Sequence, residues 1–138
     1  MNSEACFNLH LRQATRVMNQ IYDQHLAQCA LKTSQFAILR TLYFLGEVSQ
    51  KQLQEALVLE QTTLTRNLQP LLRDGFLQIR RGSDRRQRLV SLTPLGQDLC
   101  LRAEDHWKLA QDAVRQRLGP ELSEDLLRIS RSVVALKN

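Results

Sequence analysis

Glycine, proline, cysteine and aromatic residues are all scarce in this chain of 138 residues, which has five, three, three and seven of them. None of the seven aromatics is interleaved with the arginine cluster, which leaves little for the bases of a single strand to stack on. Cys6, Cys29 and Cys100 are an odd set without a Cys-x-x-Cys pair, so a disulfide framework is not expected. No apolar run nears the ~18 residues that cross a bilayer, and a membrane is not expected as a partner. Glu4 near the start, with no basic flank before an apolar core, gives no sign of a signal peptide, so the reducing cytoplasm is the expected location. Also missing are a Gly-rich phosphate loop, Gly-x-Ser-x-Gly, His-Glu-x-x-His and a carboxylate pair at a telling spacing, so neither catalysis nor a cofactor is expected. With 43% hydrophobic and 24% charged residues the chain is neither disordered nor collagen-like, and its length allows one domain.

What the chain does have is charge in one place. The net charge is +5, from 19 basic and 14 acidic residues. Residues 1–48 carry +1, residues 98–138 carry 0 and residues 49–97 carry +4; the stretch Arg80 to Arg88 alone sets five arginines against Asp84. A concentrated basic patch attracts a polyanion better than the same charge spread evenly. Arginines outnumber lysines, and the guanidinium fork suits phosphates and base edges. Charge alone fits either such a surface or a solvated loop.

The few glycines and prolines fall almost entirely where helical patterns stop. Phe7, Leu11, Ala14, Met18 and Ile21 place one apolar face on a helix from Phe7 to Leu26. Phe36, Leu39 and Tyr43 continue the pattern from Thr33 to Leu45, where Gly46 can cap the end. Ser49 can cap a short helix carrying Leu53, Ala56 and Leu57. Only Val58, Leu59 and Glu60 separate this from a helix over about Gln61 to Asp74, with Gly75 after it. Leu64, Leu68 and Leu71 form its inner stripe, and Thr62, Arg66, Gln69 and Arg73 its outer one. Pro70 removes a hydrogen bond to the Arg66 carbonyl, so a kink is expected there rather than a break. Phe76 to Arg80 and Leu89 to Leu92 read as two short strands around a polar, arginine-rich tip. Thr93-Pro94 opens a long helix through Leu95, Leu99, Ala103, Trp107, Ala110, Val114 and Leu118. Gly119-Pro120 ends it, and a last helix from about Ser123 carries Leu126, Ile129 and Val133.

Two helices joined by about three residues, the second polar on its outer face, and then a basic hairpin describe a winged helix-turn-helix. The fold class expected is mainly α with a small two-stranded β-wing and long flanking dimerisation helices. A helix fits the ~12 Å major groove, where threonine methyls meet thymine methyls and Arg66 can reach guanine or a phosphate. An arginine hairpin beside it can enter the adjacent minor groove. The flanking helices, residues 1–30 and 94–138, are expected to form a homodimer around the DNA-binding lobe at residues 31–93. The expected partner is double-stranded DNA with a pseudo-palindromic operator. The alternative is a non-sequence-specific architectural nucleic-acid-binding protein, or an RNA-binding one.

The segments LKTSQFAILRTL (Leu31 to Leu42), TTLTRNLQPLLRDGF (Thr62 to Phe76) and above all DRRQRLVSLTPLG (Asp84 to Gly96) resemble the MarR family of bacterial transcription regulators. The resemblance implies a helical homodimer that represses nearby genes and releases DNA when a small molecule binds or a cysteine is oxidised. By motif it assigns Thr62, Thr63, Thr65 and Arg66 to the major groove, Arg86 to the wing tip and Asp84 to holding the wing's shape. Gln69 joins them from the outer stripe, and Arg85 and Arg88 are added on composition. Pro70 departs from the helix formers that many relatives carry there.

Cys6, in Cys-Phe-Asn-Leu, resembles the start of the peroxide-sensing OhrR branch of the family, and a helix N-terminus favours a thiolate. Cys6 is therefore a candidate redox sensor, with a structural packing role and a place in a ligand-pocket wall as alternatives. Cys29 and Cys100 read as small apolar packers. Cys6 and His10 supply two metal donors at i and i+4, short of a tetrahedral set unless His106 completes it, so no metal is expected. His25 is expected at the surface, and Trp107 in the core or dimer seam.

Overall fold

Cys6 begins the first helix by leaving helical geometry. Its backbone is extended and its Sγ accepts the Leu9 N–H at 3.4 Å. From there the computed structural model, which describes residues 1–137, runs α1 (Phe7–Leu26) into a short 3-10 turn (Ala27–Cys29). Ala30 turns the chain in the left-handed region, and α2 (Thr33–Leu45) follows. The start of α2 borrows an acceptor from α1, since Asp23 takes the Thr33 N–H at 2.7 Å. Gly46, at φ +75°, ends α2 as expected.

Ser49 and Gln52 cap α3 (Gln50–Leu57) reciprocally, each side-chain oxygen accepting the other's backbone N–H at 3.0 and 2.9 Å. Val58 then adopts φ +54°, ψ +48°, a conformation strained for a β-branched residue. Helix α4 (Gln61–Arg73) continues through Pro70 and closes in a Schellman turn. Phe76 N–H reaches the Leu71 carbonyl at 2.9 Å, and Gly75, at φ +81°, reaches that of Leu72 at 3.1 Å.

That turn takes the Phe76 N–H, and the first wing strand runs Leu77–Arg81, one residue later than the sequence pattern suggested. It pairs antiparallel with Arg88–Leu92, from Leu77 opposite Leu92 to Arg81 opposite Arg88. A third strand, Val48–Ser49, pairs on the far side of Arg88–Leu92, with Val48 opposite Val90. In chain order the strands are β1 (Val48–Ser49), β2 (Leu77–Arg81) and β3 (Arg88–Leu92), arranged β1-β3-β2. Two residues are too few to show alternation, so β1 has no signature in the sequence. Thr93 caps α5 (Pro94–Leu118). The last helix, α6 (Pro120–Ala135), starts three residues before the expected Ser123. Gly119 serves as both stop and start, and Pro120 fits a first helical position because it has no N–H to leave unpaired.

The core lies between the lobe helices and the root of α5: Phe36, Leu39 and Leu42 of α2, Leu53 of α3, Leu64, Leu68 and Leu71 of α4, Val90 of β3, and Leu99 and Ala103 of α5. Outside this core the outer helices carry apolar surface in the open. Only Leu26 of α1 is buried and no residue of α6 is, while Phe7, Leu11, Leu109, Leu118, Leu122, Ile129 and Val133 are exposed.

Candidate nucleic-acid interface

Helix α4 has two faces because its leucines recur at helical spacing. Leu64, Leu68 and Leu71 are at most 2% exposed, which turns Thr62, Thr65, Arg66 and Gln69 outward. Thr63 sits on the flank, half-buried. Arg73 continues the outer row, but its guanidinium pairs with the neighbouring Asp74 at 3.1 Å.

The wing tip is shaped by Asp84. Its side chain accepts the Arg86 N–H at 3.1 Å and its carbonyl accepts the Gln87 N–H at 2.9 Å, while Gly82 N–H reaches the Gln87 carbonyl at 3.0 Å. Arg85, Arg86 and Arg88 are exposed beyond this turn. The five arginines are not equivalent. Arg80 forks onto Glu47, which precedes β1, at 2.6 and 2.9 Å, so its charge is already answered within the chain. Among the described residues, the wing's uncompensated charge belongs to Arg81, Arg85, Arg86 and Arg88.

A tight joint fixes α4 to α5. Thr93 Oγ1 donates to the Gly75 carbonyl at 2.6 Å and accepts the Gly96 N–H at 3.1 Å, while Thr93 N–H donates to the Phe76 carbonyl at 3.1 Å. Gly96 lies so close to that carbonyl that a Cβ there would meet its oxygen at 1.9 Å. The Ser-Leu-Thr-Pro-Leu-Gly run therefore acts as a connector between the end of α4 and the start of α5.

The MarR family profile matches residues 31–87, from the start of α2's approach to the wing tip. Along the chain's whole length, the M. tuberculosis transcriptional regulator MosR, solved in complex with DNA, superposes with a TM-score of 0.83 at 28% identity, covering 97% of this chain and 100% of that one. The segment of this chain from residue 31 to 87 is thus similar to the MarR family. The chain is also 32% identical over 83 residues to YwoH, an uncharacterized HTH-type transcriptional regulator of Bacillus subtilis (strain 168). That match takes in 60% of this chain and 61% of YwoH. A mutant MarR from E. coli, complexed with operator DNA, shares the fold with a TM-score of 0.82 at 18% identity, over 91% of each chain. MarR proteins are transcription regulators and not enzymes. Among the described residues no helix is long and apolar enough to cross a membrane.

The three cysteines occupy three different settings. Cys6 is exposed at the α1 cap, and His10 Nδ1–H donates to its carbonyl at 2.9 Å, which turns the imidazole to the backbone rather than to the sulfur. Packing against the chain's own core, the alternative for Cys6, is thus not what the fold provides. Cys29 is half-buried against the core, and Cys100 lies within it. Burial pushes the Cys100 thiol up, Glu104 adds to this, and Arg40 offsets part of it. No group of three His, Cys, Asp or Glu side chains gathers among the described residues, so His106 does not complete a set with Cys6 and His10. His25 is half-buried rather than at the surface, its Nδ1–H donating to the Ile21 carbonyl at 2.9 Å.

Arg40 escaped the sequence reading. It sits in α2 one turn after Phe36, with Cζ 4.5 Å from the Trp107 ring centroid and 5.1 Å from that of Phe44. Its Nε is buried without a hydrogen-bond partner, a state that costs about 1–3 kcal/mol. The signal available was the one charged residue of α2, inside the mostly apolar run from Phe36 to Leu45. Tyr22 was missed as well. Its hydroxyl donates to Gln111 of α5, and burial pushes the phenol up, with Arg115 acting the other way.

Proposed function

We propose that this chain is a homodimeric, sequence-specific double-stranded DNA-binding regulator that represses nearby genes and lets go of its operator on a chemical signal. The observation that carries the reading is the outward face of α4, Thr62, Thr65, Arg66 and Gln69, lying in one lobe with a wing on which Arg81, Arg85, Arg86 and Arg88 are uncompensated. Thr63 supports the edge of that face. Arg86, held by Asp84, enters the minor groove, and Arg85 and Arg88 meet phosphates. Residues 31–93 form the DNA-binding lobe, and residues 1–30 and 94–138 the dimer body. The exposed apolar side chains of α1, α5 and α6 support this division, because such surface is usually covered in a stable assembly. Two lobes then address half-sites about one DNA turn apart, ~34–36 Å. The MosR complex with DNA supports the choice of partner. The expected location is the cytoplasm. The signal is a small molecule or oxidation of Cys6, whose exposed thiol at a helix start suits the second route.

The test is fluorescence anisotropy on a duplex enriched from a random pool by the protein itself, over a salt series. Arg86→Ala weakens binding and lowers the log–log salt slope by about 1. An unchanged affinity and slope would remove Arg86 from the interface, and equal affinity for a scrambled duplex would instead mark an architectural protein. In the same assay mild peroxide releases the wild type but not Cys6→Ser if Cys6 is the sensor; release of both alike rules it out.

A further inference from the structure

Arg80 and Arg81 are neighbours on β2 with opposite surroundings. In the ladder Ile79 and Val90 stand in one row with Val48, and all three pack at the core. Side chains alternate along a strand, so Arg81 and Arg88, which oppose one another nearer the tip, lie on that same side of the sheet. Neither is in an ion pair found among the described residues. Arg80 lies on the outer side, and all three nitrogens of its guanidinium are engaged. Nε and one terminal nitrogen donate to the two Glu47 oxygens at 2.9 and 2.6 Å, and the other terminal nitrogen donates to the Arg81 carbonyl at 3.4 Å.

Glu47 is not on a neighbouring strand. It precedes β1, and β1 and β2 flank β3, so the ion pair crosses the outer side of β3, where the strands it joins are about 10 Å apart. β1 itself brings only two residues to the sheet, and the second of them, Ser49, is already the cap of α3. Arg80 and Glu47 therefore tie the wing to the first helix of the helix-turn-helix with no linker in between. The tie does little for stability, because the two side chains are 62% and 30% exposed and ion pairs so placed contribute little. What it fixes is where the hairpin stands beside α3 and α4, and how much charge the hairpin shows.

We propose that Glu47 and Arg80 are positioning residues for DNA recognition: the pair holds the wing at one angle to α4 and withholds the Arg80 charge from the duplex, exchanging non-specific affinity for discrimination. A contact between arginine and phosphate carries no sequence information, so a freed Arg80 strengthens binding to every duplex alike, while a loosened wing loses its register. The inference rests on the reading of the chain as a sequence-specific DNA-binding regulator.

The test compares the affinity of the full-length protein for the enriched duplex and for its scrambled counterpart. Glu47→Gln is expected to bind the scrambled duplex more tightly, with a log–log salt slope steeper by about 1 for each freed arginine that reaches a phosphate. Its ratio of enriched to scrambled affinity falls about tenfold per half-site, as for one mismatched base pair. Arg80→Gln frees no cation but breaks the same tie, so its ratio falls as far. The double variant falls no further than either single one, and the charge swap of Glu47→Arg with Arg80→Glu restores the ratio. Gln78→Ala removes a hydrogen bond to Ser91 from the same side of the sheet without touching β1, and it leaves the ratio unchanged. Without DNA, amide exchange in β3 quickens in both single variants and slows again in the swap, while the Tm stays within about 3 °C of the wild type. Parallel shifts on both duplexes, upward for Glu47→Gln and downward for Arg80→Gln with the ratio intact, would reduce the pair to plain charge and overturn the proposal. So would unchanged exchange, an equal fall in Gln78→Ala, or a swap that does not rescue the ratio. A wild type that binds both duplexes equally is a different failure: it removes the regulator reading, and the specificity role with it.

Discussion

Replacing Gly96 by alanine adds one methyl group to the joint between α4 and α5. The new Cβ would lie 1.9 Å from the Phe76 carbonyl oxygen and 2.9 Å from its carbon. Non-bonded carbon and oxygen need at least about 3 Å, so the start of α5 must back away by about 1 Å. That displacement stretches the Thr93 N–H bond to Phe76 and the Thr93 hydroxyl bond to Gly75, now 3.1 and 2.6 Å. Losing both costs about 2 kcal/mol, and overpacking adds about 1–3. Alanine returns about 1 kcal/mol through its better helix propensity. The net loss is about 2–4 kcal/mol, a large part of the ~5–15 kcal/mol that folds an ordinary domain. Urea unfolding followed by circular dichroism at fixed protein concentration should show the midpoint falling by about 1–2 M, for a slope near 2 kcal/mol/M. Gly119→Ala is the control, since nothing lies within 4 Å of its Cβ and only its positive φ is strained. If Gly96→Ala is as stable as the wild type, or gains the ~1 kcal/mol of helix propensity, the close packing claimed for this joint is wrong.

Val58→Gly relieves the left-handed strain at the turn between α3 and α4 at some cost in unfolded-state entropy. A net gain of about 0.5–1 kcal/mol is expected, visible as a Tm rise of a few degrees, and a fall in Tm would refute the strain. Cys100 titrates higher in the folded chain than in the unfolded one, so its contribution to stability is complete below the unfolded thiol pKa of ~8.5 and is lost as pH rises through the higher folded value. Unfolding between pH 8 and 11 should thus show a steeper alkaline decline in the wild type than in Cys100→Ala, and a disulfide-exchange reagent should react with Cys6 well before Cys100; the reverse order would contradict their placement.

The elements with strong punctuation were legible in the sequence almost to the residue. Gly46 closes α2, Ser49 opens α3, and Thr93-Pro94 opens α5, each by a local hydrogen bond or backbone preference that needs no distant partner. The two faces of α4 followed from its leucine spacing for the same reason. What escaped depends on parts of the chain far apart in sequence. β1 exists only because β3 offers it an edge. Glu47 holds Arg80 across 33 residues, so counting charges along the hairpin overstated the number of free arginines. The settings of Arg40 and Tyr22 are products of how α1, α2 and α5 approach one another, and no local pattern encodes that approach. The start of α6 was misplaced because Gly-Pro was read only as a stop, although proline is also at home in a first helical turn.

The joint at Thr93 has a mechanical consequence. Helix α5 has 25 residues, a rod of about 37 Å. Two hydrogen bonds and a glycine contact leave no soft hinge where that rod meets the end of α4, so the two turn together. Swinging α5 by 5° about its Leu118 end carries Thr93, and α4 with it, through about 3 Å. That is more than the length of a hydrogen bond to a phosphate can stretch. In the dimeric regulator proposed above, a small rotation of α5 would thereby be magnified into loss of register on DNA, with the stiffness of one threonine–glycine joint setting the gain.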